Sequence, residues 1–180
     1  MASGSLILRG RVRAVLGENI DTDLIYPGRY LNITDREKTA EHLFELAYPD
    51  LRPALQPGDF IVAGKNFGCG SSREQAAAAL KFAGVGAVLA GSFARIFYRN
   101  AINLGLPAVV SSSAFAECGA GDELELDLAR GEIRNLTRQS VLSAAPLDPR
   151  AVELLSGGGL IPYLKRKYAA AAANPAAAGR

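Results

Sequence analysis

The chain has 180 residues, the length of a single domain. Lys and Arg number 20 against 18 Asp and Glu, so the formal charge of +2 favours neither nucleic acid nor an anionic membrane surface as a partner. Two cysteines, no apolar run near the ~20 residues of a membrane span and no apolar signal segment predict a reduced, cytoplasmic protein.

The first third of the chain predicts one strand and one helix. In residues 6–16 apolar residues alternate with arginines, which is typical of a strand with one solvent-exposed face. Residues 34–47 carry the apolar stripe of a helix, and Thr34 and Glu37 have the spacing of a capping box. His42, the single histidine, falls in the middle of this helix and is expected on its surface.

A β-α-β-α-β unit is predicted from residue 59 to residue 111, with right-handed crossovers between short buried strands. Its predicted strands are 59–64, 86–91 and 107–111; its helices are 73–84, ended by Gly84, and 92–105, capped by Ser92 and ended near Gly105.

The last third predicts a different pattern on the same domain. Residues 121–140 form two alternating runs around a turn, which indicates a β-hairpin. A short helix follows at 148–159, with Asp148 as its cap, and a basic helix follows that. We therefore predict one α/β domain with a β-rich flank over residues 1–168 and a low-complexity, alanine-rich tail at 169–180.

The segment GKNFGCGSSREQ (64–75) stands between a predicted strand and a predicted helix. Backbone N–H groups and the helix dipole favour an anion at such a place. Gly68 and Gly70 let a ligand approach the backbone, and Arg73 adds a fork of donors suited to a carboxylate. A hydroxyl on Ser71 or Ser72 would lie in this positive field, which stabilises an alkoxide without a histidine.

Other interpretations of this segment stay open. Ser71 and Glu74 also fit a plain capping box, and a non-catalytic phosphate nest would use the same glycines. Cys69 near a helix N-terminus would be an activated thiol. A Ser-His-Asp site has little support, because nothing ties His42 to Ser71.

Neither a metal nor a nucleotide fingerprint is complete. The GxGxxG pattern is broken by Arg73, and a Walker A lysine is missing. Two cysteines do not complete an iron–sulfur site, and one histidine does not add a zinc site. We expect no metal bound by this chain alone.

Three motifs, in order and spacing, resemble the swivelling C-terminal domain of the aconitase superfamily. They are NIDTDLIYPGRYLNITD (19–35), GKNFGCGSSREQAA (64–77) and SFARIFYRNAINLGLP (92–107). A free-standing chain of this length is similar to the small subunits of isopropylmalate dehydratases, in their short archaeal-type form, and of homoaconitase and 2,3-dimethylmalate dehydratase. The resemblance implies a swivelling β/β/α fold, a single three-layer α/β domain.

The resemblance also implies a division of labour between two chains. A large subunit would hold a [4Fe–4S] cluster whose open iron acts as a Lewis acid, in a heterodimer or heterotetramer with this chain. This chain would supply Ser71 as the base, with Ser72 and Arg73 holding a carboxylate of a small dicarboxylate substrate. The implied reaction isomerises 2-isopropylmalate and 3-isopropylmalate by dehydration and rehydration, in leucine biosynthesis.

Residues 30–34 match the family's substrate-selecting loop. Relatives that take a tricarboxylate tend to carry an arginine there, whereas this chain has Asn32, Ile33 and Thr34. An uncharged loop suits an isopropyl group, although dimethylmalate, citraconate-type and homoaconitate substrates remain alternatives. Asp23 matches a family-typical aspartate, and its other interpretation is a turn carboxylate that binds the local backbone.

Overall fold

Seven strands form one mixed sheet within residues 6–173, the part of the chain that the computed structural model describes. The strands are β1 (Ile7–Leu16), β2 (Phe60–Ala63), β3 (Ala87–Ala90), β4 (Ala108–Val110), β5 (Glu123–Asp127), β6 (Glu132–Asn135) and β7 (Ser140–Ser143). They lie in the order β4-β3-β2-β1-β5-β6-β7.

The helices connect and cover these strands. They are α1 (Thr22–Ile25), α2 (Arg36–Glu41), α3 (Leu51–Ala54), α4 (Glu74–Phe82), α5 (Arg95–Leu104), α6 (Ala114–Glu117), α7 (Pro149–Ser156) and α8 (Leu160–Ala173), with a 3₁₀ turn at Gly28–Tyr30. The predicted β-α-β-α-β unit is confirmed as β2-α4-β3-α5-β4, in which β2, β3 and β4 pair in parallel.

Strand β1 joins two halves of the sheet that differ in direction. Its C-terminal part pairs in parallel with β2, and its N-terminal part, Ile7 to Arg11, pairs antiparallel with β5. The register shifts between Val12 and Ala14, where one pairing gives way to the other. The predicted hairpin is confirmed as β5-β6, and β7 extends this antiparallel half, which is the β-rich flank.

The core lies on both faces of the sheet, because successive strand residues point to opposite sides. On β2, Ile61 and Ala63 pack on one face with α1, α2 and α4, while Phe60 and Val62 pack on the other with α6 and α7. Helix α5 contributes to both clusters. The three-layer α/β architecture is confirmed.

The predicted helix 34–47 is shorter than expected, and its predicted cap is wrong. The carboxylate of Asp35, not the hydroxyl of Thr34, caps α2, which ends at residue 41. Phe44 then adopts a left-handed φ of 57°, and its N–H donates to the carbonyl of Ile25 at 2.9 Å. The chain leaves the helix here because this bend buries Phe44 completely in the core.

The predicted cap of the helix 92–105 is also wrong, because α5 begins at Arg95. The hydroxyl of Ser92 accepts from the N–H of Asn66 at 2.8 Å, and its carbonyl accepts from the N–H of Phe67 at 3.0 Å. Ser92 therefore holds the preceding loop instead of the helix. The predicted end is confirmed, since Gly105 has a left-handed φ of 77°.

The C-terminal helices follow the prediction closely. The side chain of Asp148 caps α7 by accepting from the N–H of Arg150, and Gly157 ends the helix. Helix α8 continues to residue 173, so the first residues of the predicted tail are helical, and residues 174–180 lie outside the described range. No helix within residues 6–173 combines the length and apolar character that crossing a membrane requires.

Candidate functional site

Three loops meet at the edge of the sheet where the parallel strands end. The chain leaves β1 into residues 17–21, leaves β2 into residues 64–73 and leaves β3 into residues 91–94. Open α/β sheets bind ligands at this carboxyl edge. The glycine segment noted in the sequence therefore lies in the middle of the three loops.

Backbone hydrogen bonds hold the glycine loop from both sides. The N–H of Gly68 donates to the carbonyl of Ile20 at 2.7 Å. On the opposite side Phe67 pairs with two residues, donating to Ser92 at 3.0 Å and accepting from Ala94 at 2.9 Å. Because these contacts are between main-chain groups, they fix the backbone path of the loop independently of its side chains.

Two positions in the loop require glycine. Gly68 has a φ of 74°, and a Cβ built there would lie 2.2 Å from the Phe97 ring. Gly70 has a φ of 87°, but its Cβ would meet nothing closer than Thr22 Oγ1 at 3.4 Å. Gly68 is thus required for both conformation and space, and Gly70 for conformation alone.

The loop opens on one side into a cleft of about 200 Å³. Its lining residues are Thr22, Gly68, Gly70, Ser71, Ser72, Arg73, Ala94, Arg95, Ile96 and Phe97. Both serines are exposed. The predicted candidates Ser71, Ser72 and Arg73 therefore come together on a single surface.

Ser71 is not a helix cap. Helix α4 begins at Glu74, and the residue at its N-cap position is Arg73, which makes no capping hydrogen bond through its side chain. The carbonyl of Ser71 accepts from Thr22 Oγ1 at 3.1 Å and from the Arg73 N–H at 2.8 Å. These bonds hold Ser71 just before the helix, with its side chain at the cleft.

Two helix N-termini face this cleft without a side-chain cap. The N-cap residue of α4 is Arg73 and that of α5 is Ala94, and both line the cleft. The first N–H groups of a helix have no partner within the helix, and the dipole places about half a positive charge there. The cleft is therefore suited to a negatively charged ligand.

Asp23 lies beside Arg73. Its Oδ1 accepts from Arg73 Nη1 and, at 3.1 Å, from the N–H of Gly28. The hydrogen bond from the guanidinium holds the pKa of Asp23 below its usual value. Asp23 is thus ionised at neutral pH and fixes the direction of Arg73, whose side chain is only 18% exposed.

The predicted substrate-selecting residues lie away from this lining. Asn32 and Thr34 are exposed and Ile33 is half-buried, and within residues 6–173 none of the three lines the cleft. They follow the 3₁₀ turn at Gly28–Tyr30, whose glycine donates its N–H to Asp23, the partner of Arg73. The structure thus brings four of the seven predicted residues together and leaves these three at a distance.

His42 takes no part in the cleft. It ends α2 instead of occupying its middle, so the predicted mid-helix position is wrong. Its Nδ1 lies 2.6 Å from Glu45 Oε2, and its ring stacks on Tyr30 at 3.6 Å. The hydrogen bond from His42, with those from Tyr30 and Arg29, lowers the pKa of Glu45. No serine belongs to this cluster in the described part of the chain.

The two cysteines lie in different parts of the molecule. Cys69 is half-buried in the glycine loop, and Cys118 is buried in the core on the other face of the sheet. Burial raises the pKa of the Cys118 thiol, which keeps it protonated. Between residues 6 and 173 no three His, Cys, Asp or Glu side chains are grouped to hold a metal ion.

Sequence reasoning missed five residues that line the cleft, namely Thr22, Ala94, Arg95, Ile96 and Phe97. Arg95 and Ile96 belong to the motif SFARIFYRN, which carries the family resemblance but predicts no role for single residues. Their position becomes evident only once α5 is placed beside the glycine loop.

The fold and the cleft define an α/β domain whose carboxyl edge carries a cleft with two uncapped helix N-termini. The chain belongs to the aconitase C-terminal domain family, whose model matches residues 20–113. The resemblance noted in the sequence is thereby confirmed.

Named relatives cover almost the whole chain. It is 54% identical to the 3-isopropylmalate dehydratase small subunit of Moorella thermoacetica, over 90% of this chain and 97% of that protein. It is 51% identical to the methanogen homoaconitase small subunit of Methanothermobacter thermautotrophicus, over 88% of this chain and 92% of that protein. A crystal structure of 3-isopropylmalate dehydratase from Methanocaldococcus jannaschii superposes with a TM-score of 0.84 and 41% identity, covering 93% and 98% of the two chains.

Proposed function

We propose that this chain is the small subunit of a hydro-lyase that isomerises 2-isopropylmalate and 3-isopropylmalate in leucine biosynthesis. The observation that carries the proposal is the position of Ser71. Its side chain is exposed in a cleft beside Arg73 and the N-terminus of α4, in a chain 54% identical to a 3-isopropylmalate dehydratase small subunit.

Ser71 acts as the base in this proposal. Its alkoxide removes the proton from the carbon next to a carboxylate, the electron pair of that C–H bond forms the double bond, and the hydroxyl leaves from the neighbouring carbon. In the return step the oxygen adds to the carbon that lost the proton, and Ser71 gives the proton to the carbon that lost the hydroxyl, so the product is the other isomer. The uncapped N-terminus of α4 and the Arg73 guanidinium lower the free energy needed to form the Ser71 alkoxide.

Arg73 and Ser72 hold the substrate carboxylate beside the base. Arg73 is fixed by Asp23, so its remaining N–H groups keep one direction when substrate enters. Ser72 adds an exposed hydroxyl on the same wall of the cleft. A carboxylate held there places the adjacent C–H bond towards Ser71.

The described residues do not fit an iron–sulfur cluster, which takes three or four thiolates, because Cys69 and Cys118 lie apart and no ligand group is formed. We therefore assign the [4Fe–4S] cluster to a large subunit that assembles with this chain in a heterodimer or heterotetramer. The relatives are named as small subunits, which supports a partner of this kind.

Substrate choice is assigned to the segment of Asn32, Ile33 and Thr34. The absence of a cation among these three favours an isopropyl group over an additional carboxylate. The second candidate is a homoaconitase-type or citramalate-type substrate, favoured by relatives that bear those names at 51% and 52% identity. Initial rates with isopropylmalate, citramalate, dimethylmalate and homoaconitate, on one assembled enzyme, rank these substrates directly.

The test of the mechanism is reconstitution with the large subunit under anaerobic, iron-loaded conditions. Wild type is expected to interconvert the two isopropylmalates, and Ser71→Ala is expected to lower kcat by about 10²- to 10⁴-fold, the usual contribution of a general base. Ser112→Ala is the matched control, because Ser112 is exposed and lies outside the cleft lining. Normal turnover by Ser71→Ala would refute the role of Ser71.

A non-catalytic phosphate-binding module is the remaining alternative. It predicts tight binding of phosphate or a nucleotide by the isolated chain, measurable by calorimetry. The hydro-lyase proposal predicts only weak dicarboxylate binding by the chain alone, because the large subunit supplies the rest of the site.

A further inference from the structure

We propose that Arg95 binds the second carboxylate of the dicarboxylate substrate and is the main source of uncompensated positive charge in the cleft. This inference rests on the proposed function and deepens it, because it assigns the end of the substrate that Arg73 does not hold.

Arg95 is placed at the cleft by the start of α5. It is the first residue of that helix, it is exposed, and it lines the same cleft as Ser71 and Arg73. The N-cap residue before it, Ala94, has no side chain able to satisfy the free N–H groups of the first turn. A carboxylate at Arg95 would meet a guanidinium and these N–H groups together.

Arg73 and Arg95 differ in whether a carboxylate neutralises their charge. Arg73 is paired with Asp23, whereas Arg95 makes no ion pair and no side-chain hydrogen bond with any residue between 6 and 173. No Asp or Glu lines the cleft in that range. The net positive charge that a dianionic substrate meets therefore comes chiefly from Arg95 and the two helix N-termini.

The neighbour of Arg95 adds an apolar surface. Ile96 lines the cleft and is 38% exposed, so it presents apolar surface beside Arg95. A ligand with two carboxylates and a branched alkyl group would thus find a charged and an apolar contact on consecutive residues of one helix turn.

A different role for Arg95 would be contact with the large subunit. In that case its loss would weaken assembly and leave the Michaelis constant of the assembled enzyme unchanged. The two roles are separated by measuring subunit association and steady-state kinetics on the same preparations.

The experiment compares Arg95→Ala, Arg95→Lys and Arg99→Ala in the reconstituted holoenzyme. Arg99 is the matched control, since it is exposed on the same helix, one turn further on, and outside the cleft lining. Arg95→Ala is expected to raise KM for isopropylmalate about 10- to 100-fold, the range for losing charge-assisted hydrogen bonds, with kcat changed far less. Arg95→Lys should recover part of the loss, and Arg99→Ala should match wild type.

A second readout identifies the group that Arg95 contacts. Inhibition is measured with an alkyl-substituted succinate and with its two monoamides, each of which replaces one carboxylate by a neutral group. Wild type should bind the diacid more tightly than either monoamide. Arg95→Ala should lose this preference for one of the two monoamides and keep it for the other.

An unchanged KM in Arg95→Ala, or weakened assembly with unchanged inhibition by the diacid, would overturn the inference while the proposed function stands. An assembled wild type that turns over none of the dicarboxylates would overturn the proposed function and this inference with it.

Discussion

Replacing Gly68 by alanine tests whether the glycine loop is held by the contacts described above. The added Cβ would sit 2.2 Å from the Phe97 ring, with the backbone at a φ of 74°. A left-handed conformation costs a non-glycine residue roughly 1–2 kcal/mol. Overpacking against a buried ring adds roughly 1–3 kcal/mol. We expect the free energy of unfolding to fall by about 2–5 kcal/mol.

Gly70→Ala is the control that separates the two contributions. Gly70 has a similar φ of 87°, but the nearest atom to its Cβ is Thr22 Oγ1 at an ordinary 3.4 Å. This variant should therefore lose only the conformational part, about 1–2 kcal/mol. Urea denaturation followed by circular dichroism measures both, with an unchanged m-value as the sign that the denatured state is the same.

The contact with Phe97 is tested by a double-mutant cycle. Phe97→Ala removes Cγ and Cδ2, two of the three Phe97 atoms that the new methyl would meet, so Gly68→Ala should cost less in that background by roughly 1 kcal/mol or more. Equal losses for Gly68→Ala and Gly70→Ala, together with additivity in the cycle, would show that Phe97 does not restrict the loop.

Two further predictions concern carboxylates. Asp23→Asn should lower kcat/KM about 10-fold with little change in the circular dichroism spectrum, because Arg73 loses its charged partner; steady-state kinetics of the holoenzyme check this. Asp122 is buried: burial alone raises its pKa, but bonds from the Gly119 N–H, Asn135 and Arg138 outweigh this and lower it. Its contribution to stability is therefore present above its unfolded-state pKa and lost as the pH falls through the folded-state value. Asp122→Asn should lower the free energy of unfolding by about 1–3 kcal/mol at pH 7. Denaturation at a series of pH values should show the difference between wild type and variant shrinking below the ordinary pKa of 3.8. A difference that stays constant with pH would contradict this prediction.

Local patterns predicted the elements whose boundaries are decided by nearby residues. The apolar runs that became β2, β3 and β4, the glycine that ends α5 and the Asp148 cap of α7 all depend on neighbours within a few positions. The family resemblance predicted the arrangement of layers, which no local pattern contains.

The wrong predictions fall where another hydrogen bond, from a neighbouring residue or a distant one, replaces the cap that local spacing suggests. Thr34 and Ser92 have good capping side chains, yet Asp35 caps α2, and Ser92 instead accepts from Asn66 across the carboxyl edge. Ser71 has the spacing of a cap, but a hydrogen bond from Thr22 to its carbonyl holds it outside the helix. Strand β7 was missed, because Ser140–Ser143 has only one buried residue and no turn signal that marks it as a strand.

The contrast between local and distant contacts also explains which cleft residues were predicted. Ser71, Ser72 and Arg73 are consecutive, so one motif was enough to bring them together. Arg95 and Ile96 reach the cleft only through the packing of α5 against the glycine loop, which a single sequence does not reveal. Asn32, Ile33 and Thr34 remain a prediction of the resemblance.

The central place of β1 has a consequence for synthesis on the ribosome. Residues Ile7 to Arg11 are made before their antiparallel partner, β5, which follows more than a hundred residues later. Until then one border of the nascent sheet has no partner, a situation that invites association with other chains. Arg9 and Arg11 place two charges on that border, which discourages such association, and the same side chains later pair with Glu125 and Glu123 when the sheet closes.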